Sequence, residues 1–238
     1  MTPPVMTSTI APSHTNTFDA QLSVTHEQFI AHRPAHADED VHMHQVVTDH
    51  ALKAFSEPGD LVFDPFAGFG TTLTRSLELG RSALGIELLP ERVEALANLA
   101  PEARVIEGDA RELLRLVPRD LVGRRIALVL TSPPYMAAHG AEPDPLTAYE
   151  ADGGDYQRYL AELELVAAQC ARVVAPGGHV VWNVADLKRG DNLTPLIDDC
   201  AAILSRHLSP VAMTEIVWDH YPHDLVRDAL LIFRREHR

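Results

Sequence analysis

Phe63-Asp64-Pro65-Phe66-Ala67-Gly68-Phe69-Gly70-Thr71-Thr72 is the stretch on which the reading of the whole chain turns. The apolar run Leu61 to Phe63 ends in an acid, enters a turn with glycines at 68 and 70, and passes into a segment of helical character. A strand feeding a glycine turn into a helix N-terminus makes a cradle for a nucleotide-like cofactor, because glycine lets the backbone bend sharply and approach a ligand where a Cβ would clash. The same junction also serves as a plain strand-to-helix connection. A second stretch, Thr131-Ser132-Pro133-Pro134-Tyr135, follows another apolar run, Ile126 to Leu130, and weighs towards the cofactor.

Around these two stretches strand and helix signals alternate. Leu61 to Asp64, Ala83 to Glu87, Arg104 to Glu107, Ile126 to Thr131 and His179 to Val184 read as strands. Between them lie helices at Thr71 to Glu78, Pro90 to Leu99 and Ala110 to Leu116, and an amphipathic helix bearing Tyr159, Leu163, Val166, Cys170 and Val173 that Gly177-Gly178 should stop. Thr194-Pro195 reads as an N-cap followed by proline at the first helical position, with Leu196, Ile197, Cys200 and Ile203 as the buried stripe. Val211 to Trp218 and Ala229 to Phe233 close the chain as two strands joined around Tyr221-Pro222. Upstream, Met43, Val47, Ala51 and Phe55 recur at helical spacing. Alternating strands and helices predict an α/β fold, a parallel sheet covered on both faces in three Rossmann-like layers. Residues 1–24, rich in Thr, Ser and Pro, are expected to be a mobile tail, and 25–238 a single domain.

The chain of 238 residues is long enough for a substantial core, and 46% hydrophobic content is ordinary for a globular protein. Its two cysteines, Cys170 and Cys200, fall on apolar helical stripes and read as buried thiols, which suits a cytoplasmic location. Neither a membrane span nor a signal-peptide layout is evident. Histidines are dense between His26 and His50, but His42 and His44 would face different ways on a helix and no Cys or HExxH pattern accompanies them, so no metal site is expected. The net charge of -14 argues against a protein that grips duplex DNA unaided.

Acids end three successive strands. Asp64 closes the first, where ligands bind in open α/β sheets. Glu87 closes the second, seventeen residues after Gly70, about where a carboxylate would accept hydrogen bonds from ribose hydroxyls. Asp109 closes the third and is expected to reach an adenine amino group. A nicotinamide enzyme fits less well. The third glycine of its fingerprint is replaced by Leu73, and Asp64 would repel a pyrophosphate. An acid there suits a cofactor with an amino-acid end and a sulfonium in place of phosphates, a description that S-adenosylmethionine meets.

Asp-Pro-Phe-Ala-Gly-Phe-Gly-Thr-Thr at 64–72, Leu84-Gly85-Ile86-Glu87, Gly108-Asp109-Ala110 and above all Thr131-Ser132-Pro133-Pro134-Tyr135 resemble the amino-methyltransferase family of DNA modification enzymes, from about residue 40 to the C-terminus. The resemblance implies a class I methyltransferase fold with a mostly parallel seven-stranded sheet whose last strand is antiparallel. It implies S-adenosylmethionine as cofactor, held by Asp64, Phe66, Gly68, Gly70, Thr71, Glu87, Leu88, Asp109, Ala110 and Thr131. Ser132, Pro133 and Tyr135 would be catalytic, with Pro134, Tyr135 and His139 against the substrate. An exocyclic aromatic amine is a poor nucleophile, because its lone pair is delocalised. Acceptors at the Ser132 side chain and the Pro133 carbonyl would favour the pyramidal nitrogen, and Tyr135 would offer a face for an extruded base. In that family serine at the position of Ser132 goes with cytosine N4, and Asp or Asn with adenine N6.

The chain departs from the family in one respect. No segment has room for the target-recognition region of its members. The spare stretch Met136 to Asp155 carries Glu142, Asp144, Glu150, Asp152 and Asp155 without a Lys or Arg. Three function classes follow: methylation of a nucleobase in DNA, with a separate recognition subunit as possible partner; the same chemistry on RNA, a free nucleoside, another small amine or a protein amide; and a non-catalytic cofactor- or nucleic-acid-binding module.

Overall fold

Alternation of apolar residues along the strands sets the three layers. A computed structural model describes residues 19–37, 41–139, 143–147 and 154–237. In chain order the elements are β1 (Gln21–Val24), α1 (His26–Ala31), α2 (Gln45–Phe55), β2 (Leu61–Asp64), α3 (Thr71–Glu78), β3 (Ser82–Glu87), α4 (Pro90–Leu99) and β4 (Arg104–Glu107). A 3-10 turn (Ala110–Glu112) leads into α5 (Leu113–Leu116), followed by β5 (Ile126–Thr131), α6 (Tyr156–Val173), β6 (Val174–Arg189), β7 (Asn192–Thr194), α7 (Leu196–Ser205), β8 (Ser209–Trp218) and β9 (Leu225–Arg234).

The sheet runs β1-β8-β9-β6-β5-β2-β3-β4, with β7 paired to β6. The expected seven strands are β4 to β8 along this path. Only β9 among them runs antiparallel to its neighbours β6 and β8. On one face Val62, Leu128, Leu130, Val181, Ile216, Leu230 and Ile232 pack under Val47, Ala51, Leu52 and Phe55 of α2. The other face presents Phe63, Leu84, Ile86, Val129, Val180, Trp182 and Leu231 to Leu163, Val166 and Cys170 of α6 and Leu196, Cys200 and Leu204 of α7. Period two on the strands and period 3.6 on the helices thus meet in two dry seams. Both cysteines are free thiols in the second seam.

Three expectations need correction, and one helix is added to them. The tail does not extend to residue 24: Gln21–Val24 joins the sheet edge, parallel to β8, and Thr214 Oγ1 donates to the Asp19 carbonyl at 2.7 Å. Residues 1–18 lie outside the described residues. Gly177-Gly178 do not stop α6, which ends at Val173; they are absorbed into β6, where a Cβ on Gly178 would lie 2.7 Å from the Ala127 carbonyl oxygen. Glycine lets β6 close onto β5 there. Thr194 is not the N-cap of α7, because its hydroxyl accepts from Ala138 N at 2.8 Å; the free amide of Ile197 is instead met by Asp186 Oδ1 at 2.9 Å. His26–Ala31, for which the sequence pattern assigns no element, forms a helix capped by a reciprocal Thr25 and Gln28 box.

Candidate active site

At one edge of the sheet the apolar rows turn polar together. On the face under α2, Val62 is followed two residues on by Asp64, Gly85 by Glu87 and Val181 by Asn183. On antiparallel β9 the order reverses, and Asp228 precedes Leu230. Asp64, Glu87, Asn183 and Asp228 line one cavity of about 800 Å³, together with Ser132 to Tyr135, Asp109 and Trp218.

The donor wall is built by the glycine turn. Gly68 and Gly70 hold φ of 53° and 85°, left-handed values that bring the loop back over the strand ends. Glu87 stitches this loop in place, its Oε2 accepting from Gly68 N at 2.7 Å and its Oε1 from Leu89 N at 2.9 Å. Burial raises its carboxyl above the ordinary range. Asp64 accepts from Phe66 N at 3.0 Å and from Thr131 Oγ1 at 2.6 Å. It is only 2% exposed, and burial pushes its carboxyl up to about 6. Asp109 is clamped by Arg111, whose Nη2 reaches its Oδ2 at 2.6 Å while Nη1 reaches Glu162 at 2.6 Å. Arg92 lies over the Phe69 ring, 4.4 Å from its centroid, at the same rim.

An ammonium or sulfonium fits this wall, because Asp64 is buried and among the described residues no cationic side chain pairs with it. The hydroxyl of Thr71, at the N-terminus of α3, is buried with no hydrogen-bond partner among the described residues. A donor facing a helix N-terminus suits a carboxylate. Any Cβ on Gly70 would meet Leu96 Cδ2 at 2.2 Å, so the cradle has no room for another side chain.

On the opposite wall one proton chain has a fixed direction. Tyr135 Oη lies 3.1 Å from the Asn183 carbonyl oxygen and 3.1 Å from Ser132 Oγ. A carbonyl only accepts, so the phenol donates to Asn183. The Ser132 proton then goes to the phenol oxygen, and Ser132 Oγ keeps its lone pairs for the cavity. Desolvation, reinforced by the charge of Asp228, holds the phenol well above its usual pKa, so this order persists across neutral pH. Tyr159 Oη braces the turn by donating to the Pro134 carbonyl at 2.9 Å.

Comparison with known proteins adds three findings. A DNA methylase family profile matches residues 46–98, from α2 through α4. A putative methylase, YubD of Escherichia coli (strain K12), is 45% identical over 40 residues, which is 17% of this chain and 18% of that protein. Two solved structures align along most of their length. A TehB-like SAM-dependent methyltransferase from Corynebacterium glutamicum matches with a TM-score of 0.52 at 15% identity, covering 79% of this chain and 87% of the other. The N-methyltransferase NodS from Bradyrhizobium japonicum, in complex with S-adenosyl-l-homocysteine, gives 0.55 at 10% identity, covering 81% and 86%. The chain has the class I methyltransferase fold. At identities this low the likeness is one of fold.

In this methyltransferase fold Asp64, Phe66, Gly68, Gly70, Thr71, Glu87, Leu88, Asp109, Ala110, Ser132, Pro133, Pro134 and Tyr135 all face the cavity. Thr131 reaches it through Asp64. His139 is exposed and outside the cavity wall. Of the five acids in the spare segment, Glu142, Glu150 and Asp152 lie outside the described residues; Asp144 caps Leu146 N and Asp155 caps α6. His42 and His44 do line the cavity, buried against Phe29 and Trp218, and burial takes His44 down to about 4, so it is neutral there. Among the described residues no cluster of His, Cys, Asp or Glu is arranged for a metal, and no helix is long and apolar enough to cross a membrane. Sequence reasoning missed Asn183 and Asp228. The available signal was Asn183 inside the otherwise apolar run Val180 to Ala185, and Asp228 directly before the apolar run Ala229 to Phe233.

Proposed function

We infer that the protein is an S-adenosylmethionine-dependent N-methyltransferase acting on the exocyclic amine of a nucleobase in DNA, cytosine N4 ahead of adenine N6. The observation that carries this reading is the ordered chain from Ser132 through Tyr135 to Asn183. It leaves a hydrogen-bond acceptor facing the cavity opposite the donor wall. An acceptor drawn to an amine N–H favours pyramidal nitrogen and frees the lone pair for attack. The DNA methylase match over residues 46–98 supports a nucleobase in DNA as the target, and the serine at 132 is what favours cytosine.

When bound, the cofactor supplies an electrophilic methyl group on a sulfonium. Asp64 would take its cationic end, Thr71 with the α3 N-terminus its carboxylate, Glu87 the ribose hydroxyls and Asp109 the adenine amine. Phe66, Leu88, Ala110 and the two glycines complete the wall. Catalysis rests on placement, worth several kcal/mol without a strong base. Tyr135 and Pro134 hold the base, and Ser132 accepts from it.

A second reading, transfer to RNA, a free nucleoside or another small amine, draws on charge. The cavity wall carries Asp224 and Asp228, and Arg189 on the same wall is paired to Asp224 at 2.5 Å. A polyanion gains little at such a mouth without a recognition subunit. The deciding experiment supplies labelled S-adenosylmethionine with duplex DNA, single strands, RNA and free cytidine. Transfer to DNA supports the first reading. Transfer to cytidine but not to DNA removes it, and cofactor binding with no transfer to any of them points to a binding module.

A further inference from the structure

Asn183 and Asp228, on the neighbouring strands β6 and β9, stand together on the cavity wall. The Asn183 Nδ2 donates to Asp228 Oδ1 at 2.6 Å and to the Ala229 carbonyl at 3.2 Å. Both partners are acceptors only, so the amide cannot turn round. Asp228 is itself fixed from the other side, where Trp218 Nε1 donates to its Oδ2 at 2.8 Å. The Asn183 Oδ1 is therefore left facing the cavity that Asn183 lines. No described residue donates to it, and it is not among the buried atoms sealed off without a partner.

The same residue sets the direction of the Ser132 chain, since its backbone carbonyl takes the Tyr135 proton. One residue thus presents an acceptor of its own and turns Ser132 into a second. A wall that only accepts asks its ligand for N–H bonds. A primary aromatic amine offers two, its monomethyl product one, and the dimethyl form none.

We propose that Asn183 is a specificity-determining residue of the acceptor site, held by Asp228 so that Asn183 Oδ1 and Ser132 Oγ together select a primary aromatic amine and release it after one methyl. This rests on the N-methyltransferase reading above. Asp228 is a positioning residue, and its role lies in the orientation of one amide.

Replacing Asp228 by asparagine reverses that orientation with almost no change of shape. The new side chain must accept from Trp218 Nε1 with its oxygen, so its amide N–H groups face Asn183. To accept from them Asn183 must turn its Oδ1 inward, giving up the longer 3.2 Å bond to the Ala229 carbonyl, and it then presents Nδ2 to the cavity. An acceptor has become a donor.

The test is isothermal titration of the protein saturated with S-adenosylhomocysteine. The probes are cytidine, adenosine and the N-monomethyl and N,N-dimethyl forms of each. In the wild type each added methyl should weaken binding of the accepted nucleoside about tenfold, the value of one lost hydrogen bond. In Asp228→Asn that ranking should flatten or invert while affinity for S-adenosylhomocysteine stays within about twofold. Trp218→Phe removes one bond to Asp228 but leaves the Asn183 lock, and should keep the ranking. If Asp228→Asn does not fold, Asn183→Ala should lower the preference for the primary amine about tenfold. The same ranking in wild type and Asp228→Asn, or no binding of any of the six nucleosides, overturns the proposal. A correct ranking with no methyl transfer from S-adenosylmethionine overturns the enzymatic reading and leaves the amine selection standing.

Discussion

Asp64→Asn should make the ligand-free protein more stable and the cofactor complex weaker. The carboxyl is 2% exposed, and its pKa rises from 3.8 unfolded to about 6 folded. Between those values the folded state binds more protons than the unfolded chain, so stability falls as pH rises and levels off above about 6. A shift of this size corresponds to about 3 kcal/mol, the cost of keeping a buried carboxylate ionised at neutral pH. Asparagine removes the charge, and its Oδ1 can still accept from Phe66 N and Thr131 Oγ1. Its Nδ2 loses hydration without an assured partner, so the net gain should be about 1–2 kcal/mol. Urea titrations at pH 7.5 and pH 4 would measure it: the variant should be the more stable at pH 7.5, and the difference should vanish or reverse at pH 4. Glu87 and Asp228 also carry raised pKa values and titrate in both proteins, so the quantity that matters is the difference between the two. Calorimetric titration with S-adenosylmethionine should show affinity falling about 10- to 100-fold, as a buried partner of a cation is removed. A variant less stable at both pH values, or one that binds the cofactor as tightly as the wild type, would refute this account of Asp64.

Ser132→Ala should leave cofactor affinity within about twofold and lower kcat by two orders of magnitude or so, since its oxygen acts only on the acceptor amine; a large loss of cofactor affinity would show that Ser132 belongs to the other wall. Tyr135→Phe keeps the ring but frees the Ser132 proton to point into the cavity, so kcat should fall about tenfold with little change in thermal midpoint. Gly70→Ala combines a φ of 85° with a Cβ placed 2.2 Å from Leu96 Cδ2. It should cost roughly 1–3 kcal/mol in a denaturant titration and weaken cofactor binding as well.

The polar rim at the strand ends suits one cavity to the two partners of different chemistry proposed for it. Strands β2 and β3 contribute carboxylates to the donor wall, while β6 and β9 contribute an amide and a carboxylate to the acceptor wall. Ser132, on the turn after β5, lies between them. The donor side was the more legible half in the sequence, because its residues are local. Gly68 and Gly70 stand beside Asp64, and Glu87 and Asp109 each end their own strand. The acceptor side is assembled from β5, β6, β8 and β9, separated by long stretches of chain. Nothing in the spacing of Ser132, Asn183, Trp218 and Asp228 announces that they meet.

Periodicity and turn chemistry determined the layers, most strand positions and the glycine turn on the cavity wall, since these depend on contacts between residues a few positions apart. The errors arose where a tertiary partner overrode a local signal. Gly177-Gly178 looks like a helix stop, yet close approach to Ala127 makes it part of a strand. Thr194 looks like a cap, yet Ala138 N takes its hydroxyl. Gln21–Val24 is a strand only because β8 offers an open edge. Asp64-Pro65-Phe66-Ala67-Gly68-Phe69-Gly70 could be read as a cradle from sequence alone, because a glycine turn needs no distant residue to bend. The direction of the Ser132 proton could not, because it depends on a carbonyl that only folding brings to Tyr135.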